Sequence, residues 1–253
     1  MFQKYLNSNN SNIITIYHVP QKINKIIVLF PAFLESAADK EYFLRRLASV
    51  LSGKSILVVQ VEPFAHGHSF GLVKDITIEK IINNAIDIAY DLKNNYNKPI
   101  ILLLNGLYCN IICNKRIREL YDLFLCINHT FIDNEDIYAI EEIRDDYFEL
   151  GHYIFNDEKL MNMFKRMGSS TYNICSQLFS KKNILSILKY CKNYNYYEKS
   201  SIFIYTNNNK IELYDSIKKD KNNYFDFFCD PINIYNLCKK IEELLEIENE
   251  SSN

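Results

Sequence analysis

The sequence predicts an α/β fold: a mostly parallel sheet flanked by helices, with a helical segment inserted before the last strands. Three observations carry this. Short apolar runs alternate with helically spaced segments over residues 12–128. Four of those runs, at 25–33, 55–62, 99–104 and 122–128, are apolar almost throughout, as strands buried on both faces are. From Asp133 to Asn195 the chain turns polar and mostly helical before strand-like runs return.

Each element has its own signal. "NIITIYHV" (12–19) alternates and is β-branched, so it reads as a strand. "KIIVLFPAF" (25–33) is a buried strand ended by Pro31. Residues 39–53 place apolar side chains at 43, 44, 47, 50 and 51, a helical spacing, and Gly53 stops that helix. "SILVVQVE" (55–62) is another buried strand, followed by the loop 62–71. Residues 75–97 form a helix with Asp75 as its expected N-cap. "PIILLL" (99–104) is the central strand, and the turn at 105–110 leads into a helix through about Leu120. "DLFLCIN" (122–128) closes the first half.

Strand–helix alternation of this kind requires parallel pairing with helices on both faces. Residues 134–195, without a clear strand, read as a cap over the sheet. Strands are then expected at 200–208 and 223–230, and a closing helix at 231–247 with Pro231 in its first turn. The expected division is a core of 1–133 and 196–247, a cap of 134–195, and a disordered tail of 248–253.

The bulk numbers exclude several classes. A net charge of −2 gives no global field toward nucleic acid or an anionic membrane. No apolar run approaches the ~20 residues of a membrane span. The polar start "MFQKYLNSNNSN" does not read as a signal peptide. The seven cysteines (109, 113, 126, 175, 191, 229 and 238) are odd in number and form no CxxC, so they read as reduced thiols of a cytoplasmic protein. No zinc-like spacing is visible, and no cofactor or metal is expected. The abundance of Tyr, Ile, Asn and Lys reads as a composition bias, so the tyrosine-dense 190–199 is read as packing, not as a base-stacking surface.

Ligands in such sheets bind beyond the C-terminal ends of the strands. The loops at those ends are 31–36, 62–71, 105–110 and 128–134. In many hydrolases the strand-to-helix turn is Gly-x-Ser-x-Gly and carries the nucleophile. Here the letters are Gly106-Leu107-Tyr108-Cys109-Asn110. Centring on Tyr108 leaves the small residues Gly106 and Asn110 two places to either side. Tyr108 then stands where serine would, and Cys109 supplies the oxyanion N–H. The second donor is expected from Phe33, Leu34 or Glu35. The loop Glu62-Pro63-Phe64-Ala65-His66-Gly67-His68-Ser69-Phe70-Gly71 follows the hydrolase pattern Asp-x-x-Gly-x-Gly-x-Ser-x-Gly, with Glu for Asp and Ala for the first Gly.

On these residues the chain resembles the α/β-hydrolase superfamily, in particular the exosortase-associated hydrolases of the second type. "PAFLESAADKEYFLRRLA", "NGLYCNII", "YFELGHYIFNDEKL" and "FFCDPINIYN" are the blocks that look similar, spread over about residues 25–240. The resemblance implies an α/β-hydrolase-like core with a cap, and a setting in acyl or extracellular polysaccharide biosynthesis in a bacterium. It also implies an elbow that often lacks serine.

The triad places are all altered. Tyr108 replaces the nucleophile. The usual place of the acid falls at Asn208, and the usual place of the histidine at Asp230. The leading expectation is a non-catalytic or ligand-binding homologue that keeps a cleft for an acyl or glycan-linked ligand. One alternative is an active esterase, thioesterase or acyltransferase built around Tyr108 and His129, with His66, Glu35 and Cys109 near the cleft. The other is a scaffold that binds a protein partner. Of His66 and His68, one is expected to satisfy loop backbone groups and the other to face water; Asp133 is expected with His129 near the cleft rim, and His152 reads as structural.

Overall fold

A computed structural model describes residues 1–8, 11–35, 39–149, 151, 157–167, 177–192, 201–207, 210–215 and 230–250. In chain order the strands are β1 (Phe2–Ser8), β2 (Ser11–His18), β3 (Lys25–Leu29), β4 (Ile56–Glu62), β5 (Ile100–Asn105), β6 (Leu123–Ile127), β7 (Tyr147–Glu149), β8 (Leu178–Ser180), β9 (Ser201–Asn207) and β10 (Lys210–Tyr214). The helices are α1 (Asp39–Ser52), α2 (Ile78–Asn95), α3 (Lys115–Leu120), α4 (Asn134–Glu141), α5 (Glu158–Arg166), α6 (Lys181–Lys192) and α7 (Pro231–Glu250). Two 3-10 segments, Val73–Asp75 and Gly106–Cys113, precede α2 and α3.

Eight strands form one sheet in the order β1-β2-β4-β3-β5-β6-β9-β10. Its centre, β4-β3-β5-β6-β9, is parallel, and β2 runs antiparallel to β4. Antiparallel hairpins β1–β2 and β9–β10 close the two edges. Along β3, Ile27 and Leu29 face one way and Ile26 and Val28 the other, and all four are fully buried. That explains the unbroken apolar runs. α1 and α7 cover one face, where Leu47, Leu51, Leu237 and Ile241 meet Ile27, Val58 and Leu103. α2, α3 and the cap cover the other, against Val28, Val59, Leu102 and Leu104.

Several elements differ from the sequence expectation. β1 is a strand although its residues are mixed, because it is an edge strand that buries little of its surface. α2 starts at Ile78 with Thr77 as its N-cap, while Asp75 ends the preceding 3-10 turn. The helix expected after the central turn is divided at Asn114, whose side chain accepts from Arg116 N and Ile117 N and caps α3. The cap contains a two-stranded sheet, β7–β8, that its polar sequence conceals. β10 is a strand with no counterpart in the sequence expectation. α7 continues to Glu250, beyond the expected end of the closing helix. The expected strand at 223–230 falls almost wholly outside the described residues, as do His152, Cys175, Cys229 and residues 251–253. Among the described residues no helix is long and apolar enough to cross a membrane. The described cysteines 109, 113, 126, 191 and 238 are free.

The loop after β4 builds one wall of the candidate site. Glu62 is buried and its Oε2 accepts from His68 N at 2.7 Å. Gly67 crosses directly over this carboxylate with φ +52°, and an added Cβ would stand 2.5 Å from Glu62 Cδ. Ser69 Oγ donates to Glu62 O and accepts from Ile14 N. Gly71 lies against the Phe64 ring. Asn84 of α2 fixes the loop from beneath, its Oδ1 accepting from Phe64 N at 2.8 Å. Glu62, Gly67, Ser69 and Gly71 of the hydrolase-like pattern therefore each have a folding role. Gly67→Ala combines a left-handed backbone with a clash against a buried carboxylate, so a loss of about 2–4 kcal/mol is expected by urea denaturation.

Candidate active-site region

The chain leaves β5 at Asn105 and reverses at Gly106, where φ is 59°. Glycine takes this backbone without a Cβ penalty. Tyr108, the expected apex, is instead two residues into the 3-10 segment. Cys109 lies inside that segment too, where each N–H points toward the carbonyl three residues earlier. The backbone turns earlier than the spacing of small residues suggests, because Gly106 is the residue able to adopt the positive φ there.

His66 is the centre of the region. Its Nδ1 lies 2.8 Å from Phe64 O, so Nδ1 carries the proton and donates. That leaves Nε2 as an acceptor. Two donors converge on it: the backbone N–H of Leu34 at 3.0 Å and the hydroxyl of Tyr108 at 2.8 Å. Leu34 has φ 62°, which aims its N–H inward from the β3–α1 loop. Phe33 meets the Tyr108 ring edge-on, with centroids 5.9 Å apart. His66 and Tyr108 are 1% and 0% exposed, so no solvent reaches this group. Burial pushes the Tyr108 phenol well above its usual value, with Cys191 adding to it, so the hydroxyl stays protonated.

A second cluster surrounds His129. Asn110 Nδ2 donates to Leu107 O at 2.9 Å and Thr130 O at 3.4 Å. That orients its Oδ1 to accept from His129 Nε2 at 3.0 Å. Tyr108 is therefore paired with His66, and His129 with Asn110. Leu107 N–H donates to Met167 O of the cap at 3.4 Å. Thr130 Oγ1 donates to Arg166 O at 2.5 Å, and Arg166 is ion-paired with Asp136. The end of α5 is thereby fastened over the turn, with Met167 fully buried.

The remaining sequence candidates have local partners. Asp133 caps α4 in a reciprocal capping box with Asp136. Asp230 Oδ1 accepts from Ile232 N at 2.8 Å and caps the start of α7. Glu35 is buried behind the same loop as Leu34. His68 is exposed beside Glu62. Asn208 lies outside the described residues. Among the described residues, no group of three His, Cys, Asp or Glu side chains is placed to hold a metal ion. Sequence reasoning misses Met167 and the role of Leu107, because both act through backbone groups that leave no mark on residue type.

No family model and no curated protein matches the chain in sequence. Solved structures do match in shape. Mouse α/β hydrolase domain-containing protein 10 is 11% identical with a TM-score of 0.58, over 97% of this chain and 99% of that one. The α/β hydrolase GrgF from Penicillium sp. sh18 is 14% identical with a TM-score of 0.56, over 74% and 72%. Est1E from Butyrivibrio proteoclasticus, solved with ferulic acid, is 8% identical with a TM-score of 0.53, over 76% and 71%. The chain has the α/β-hydrolase fold. In that fold the turn after the central strand carries the nucleophile. The oxyanion donors are the N–H that follows it and one from the β3–αA loop. In this chain Gly106 and Leu107 lie in the turn after β5, and Leu34 lies in the loop after β3.

Burial lowers the His129 pKa from 6.5 to about 3. In the unfolded chain the same ring takes its proton near the ordinary value. Between those pH values the unfolded state binds more protons, so acidification destabilises the fold, by up to about 1.4 kcal/mol per pH unit. His129→Gln lacks this term. Its stability deficit relative to wild type is expected to narrow by about 2 kcal/mol between about pH 7 and about pH 5, measured by urea titration at each pH.

Proposed function

We propose that this protein is a non-catalytic member of the α/β-hydrolase fold, one that keeps the architecture of an acyl-transfer enzyme as a binding module. The observation that carries the reading is that both backbone donors belonging to an oxyanion hole are already satisfied. Leu34 N–H is held by His66 Nε2, and Leu107 N–H by Met167 O. An oxyanion hole works only if its donors are aimed at the place where charge develops. Donors engaged by a histidine and a cap carbonyl are withdrawn from that task.

The residue at the reversal supports the same reading. On this reading Gly106, whose φ is positive, takes the place of the nucleophile, and it has no side chain to attack with. Tyr108 is a poor substitute: its hydroxyl donates to His66 within a closed, solvent-free group, and burial opposes the phenolate that nucleophilic attack requires. The resemblance to exosortase-associated hydrolases suggests the setting, an acyl or glycan-linked ligand or a protein partner in a biosynthetic system, within a reducing cytoplasm. The competing reading, an esterase or acyltransferase built on Tyr108 and His129, requires the two side chains to exchange their present partners.

The test is a turnover and intact-mass assay against p-nitrophenyl and thioester acyl substrates and a fluorophosphonate probe. Wild type and Tyr108→Phe are run together, with circular dichroism confirming that both are folded. The expected result is no turnover and no adduct in either protein. Turnover or a covalent acyl adduct that disappears in Tyr108→Phe would establish an enzyme and overturn the proposal. Tyr108→Phe loses one buried hydrogen bond, so a stability cost of about 1 kcal/mol is expected.

A further inference from the structure

A second site lies away from the cleft, on the face of the sheet that α1 and α7 cover only in part. Strand register assembles its floor. Ile16 of β2 stands between Gln3 of β1 and Gln60 of β4, and Ile14 stands between Tyr5 and Glu62. Residues directly opposite in antiparallel strands share a face, so these two rows form one surface. His18 continues it, and Arg45 of α1 stands at its border. The surface is a groove of about 590 Å³. That falls in the range of small-molecule sites. Its floor is deep, with Ile14 4% and Gln60 2% exposed, whereas Tyr5 and Arg45 rise into solvent.

Two features point to what fits there. Gln60 Oε1 accepts from His18 Nε2 at 2.7 Å, but Gln60 Nε2 is buried with no hydrogen-bond partner among the described residues. A buried amide in a strand is normally fully paired, and an orphaned donor destabilises the fold. An aliphatic residue at 60 would remove that cost together with the acceptor of His18 Nε2, so the bond to His18 accounts for Oε1 but not for the unmet N–H. The second feature is the Arg45 guanidinium, which makes no ion pair among the described residues although it borders the same groove. Arg45 and a glutamine with an unmet N–H thus line one cavity, together with the aliphatic side chains of Ile14 and Ile16, the Tyr5 ring at the rim and the Glu62 carboxylate at one end.

We propose that this groove binds a small monocarboxylate with a flat or short apolar body. The carboxylate engages Arg45 and accepts from Gln60 Nε2, and the apolar part lies on Ile14 and Ile16 against Tyr5. The buried Glu62 carboxylate beyond Ile14 disfavours a second negative charge at that end, which selects one carboxylate over two. The site is independent of the hydrolase cleft and does not rest on the reading of that cleft.

The test uses benzoate and hexanoate as probes, each against its primary amide, with succinate as the dicarboxylate. Binding is followed by thermal shift and by ¹H–¹⁵N spectra of the full chain. The expected result is stabilisation by the monocarboxylates, weaker or absent for the amides and succinate, with movement of the Gln60 side-chain NH2 signals. Arg45→Gln is expected to weaken benzoate by about tenfold, and Gln60→Leu by a similar factor with little change in the unliganded melting temperature, because losing the His18 hydrogen bond and removing the unmet N–H offset one another. That combination separates a ligand-binding amide from a merely structural one, whose replacement would lower the melting temperature and leave affinity unchanged. The proposal is overturned if no probe binds at millimolar concentration. It is also overturned if binding survives both variants, or if the shifted signals map to Leu34, Leu107 and Tyr108 in the cleft.

Discussion

One imidazole nitrogen holds the centre of this molecule together. His66 Nε2 accepts from Leu34 N–H and from the Tyr108 hydroxyl, joining the loops that leave β3, β4 and β5. The arrangement works because Phe64 O takes the proton of Nδ1 and fixes the tautomer. In the other tautomer Leu34 N–H would face Nε2–H without an acceptor, and the unprotonated Nδ1 would be set against the Phe64 carbonyl oxygen, acceptor against acceptor. Phe64 is positioned in turn by Asn84 of α2, and Asn84 Nδ2 donates to Ser8 Oγ at the end of β1. The position of one ring thus depends on contacts reaching from the sheet edge to its centre.

This constraint also links stability with activity. A working oxyanion hole keeps backbone donors directed at a site that is empty between turnovers, an arrangement that leaves polar groups unmet in the resting protein. Here Leu34 and Leu107 have permanent internal acceptors, one from a side chain and one from the cap. On the proposed reading, the interactions that close the cleft are the ones that fasten α5 over the turn: Met167 O on Leu107, and Arg166 on Asp136 and Thr130. The hydrolase-like loop pattern persists beside this closed cleft because its residues serve the loop itself. Glu62, Gly67, Ser69 and Gly71 would be required whether or not any acyl group is transferred.

The fold is legible in the sequence where burial dictates residue type. Strands buried on both faces must be apolar, so β3, β4, β5 and β6 stand out, and their order with the intervening helices sets the parallel core. Edge strands obey no such rule. β1 shows four of its seven residues to water, and β10 is at best partly buried, so their letters resemble loop. The turn after β5 is recognisable as a turn, but the spacing of small residues centres it two residues late. Such spacing marks where crowding is tolerated, whereas the positive φ at Gly106 marks where the chain reverses. The pairing of Tyr108 with His66 is out of reach of the sequence for another reason. His66 and His129 both sit at strand ends, and which one meets the phenol depends on the backbone at Ala65 and Asn128, both with positive φ and neither a glycine.

The cleft and the edge groove differ in a way that bears on function more directly than resemblance does. In the cleft, the donors Leu34 N–H, Leu107 N–H and Tyr108 O–H each have an acceptor within the chain, and the region is sealed from water. In the groove beside β1 and β2, the Gln60 amide has no acceptor among the described residues, and Arg45 has no acidic partner among them. Recognition needs unmet polar capacity at a place a ligand can reach, since a group already satisfied gains little by changing partners. On the two proposals taken together, the hydrolase cleft is a structural element, and the capacity to bind resides at the edge of the sheet. A fold associated with acyl chemistry can therefore persist for its rigidity while recognition develops on a surface with no part in the original reaction.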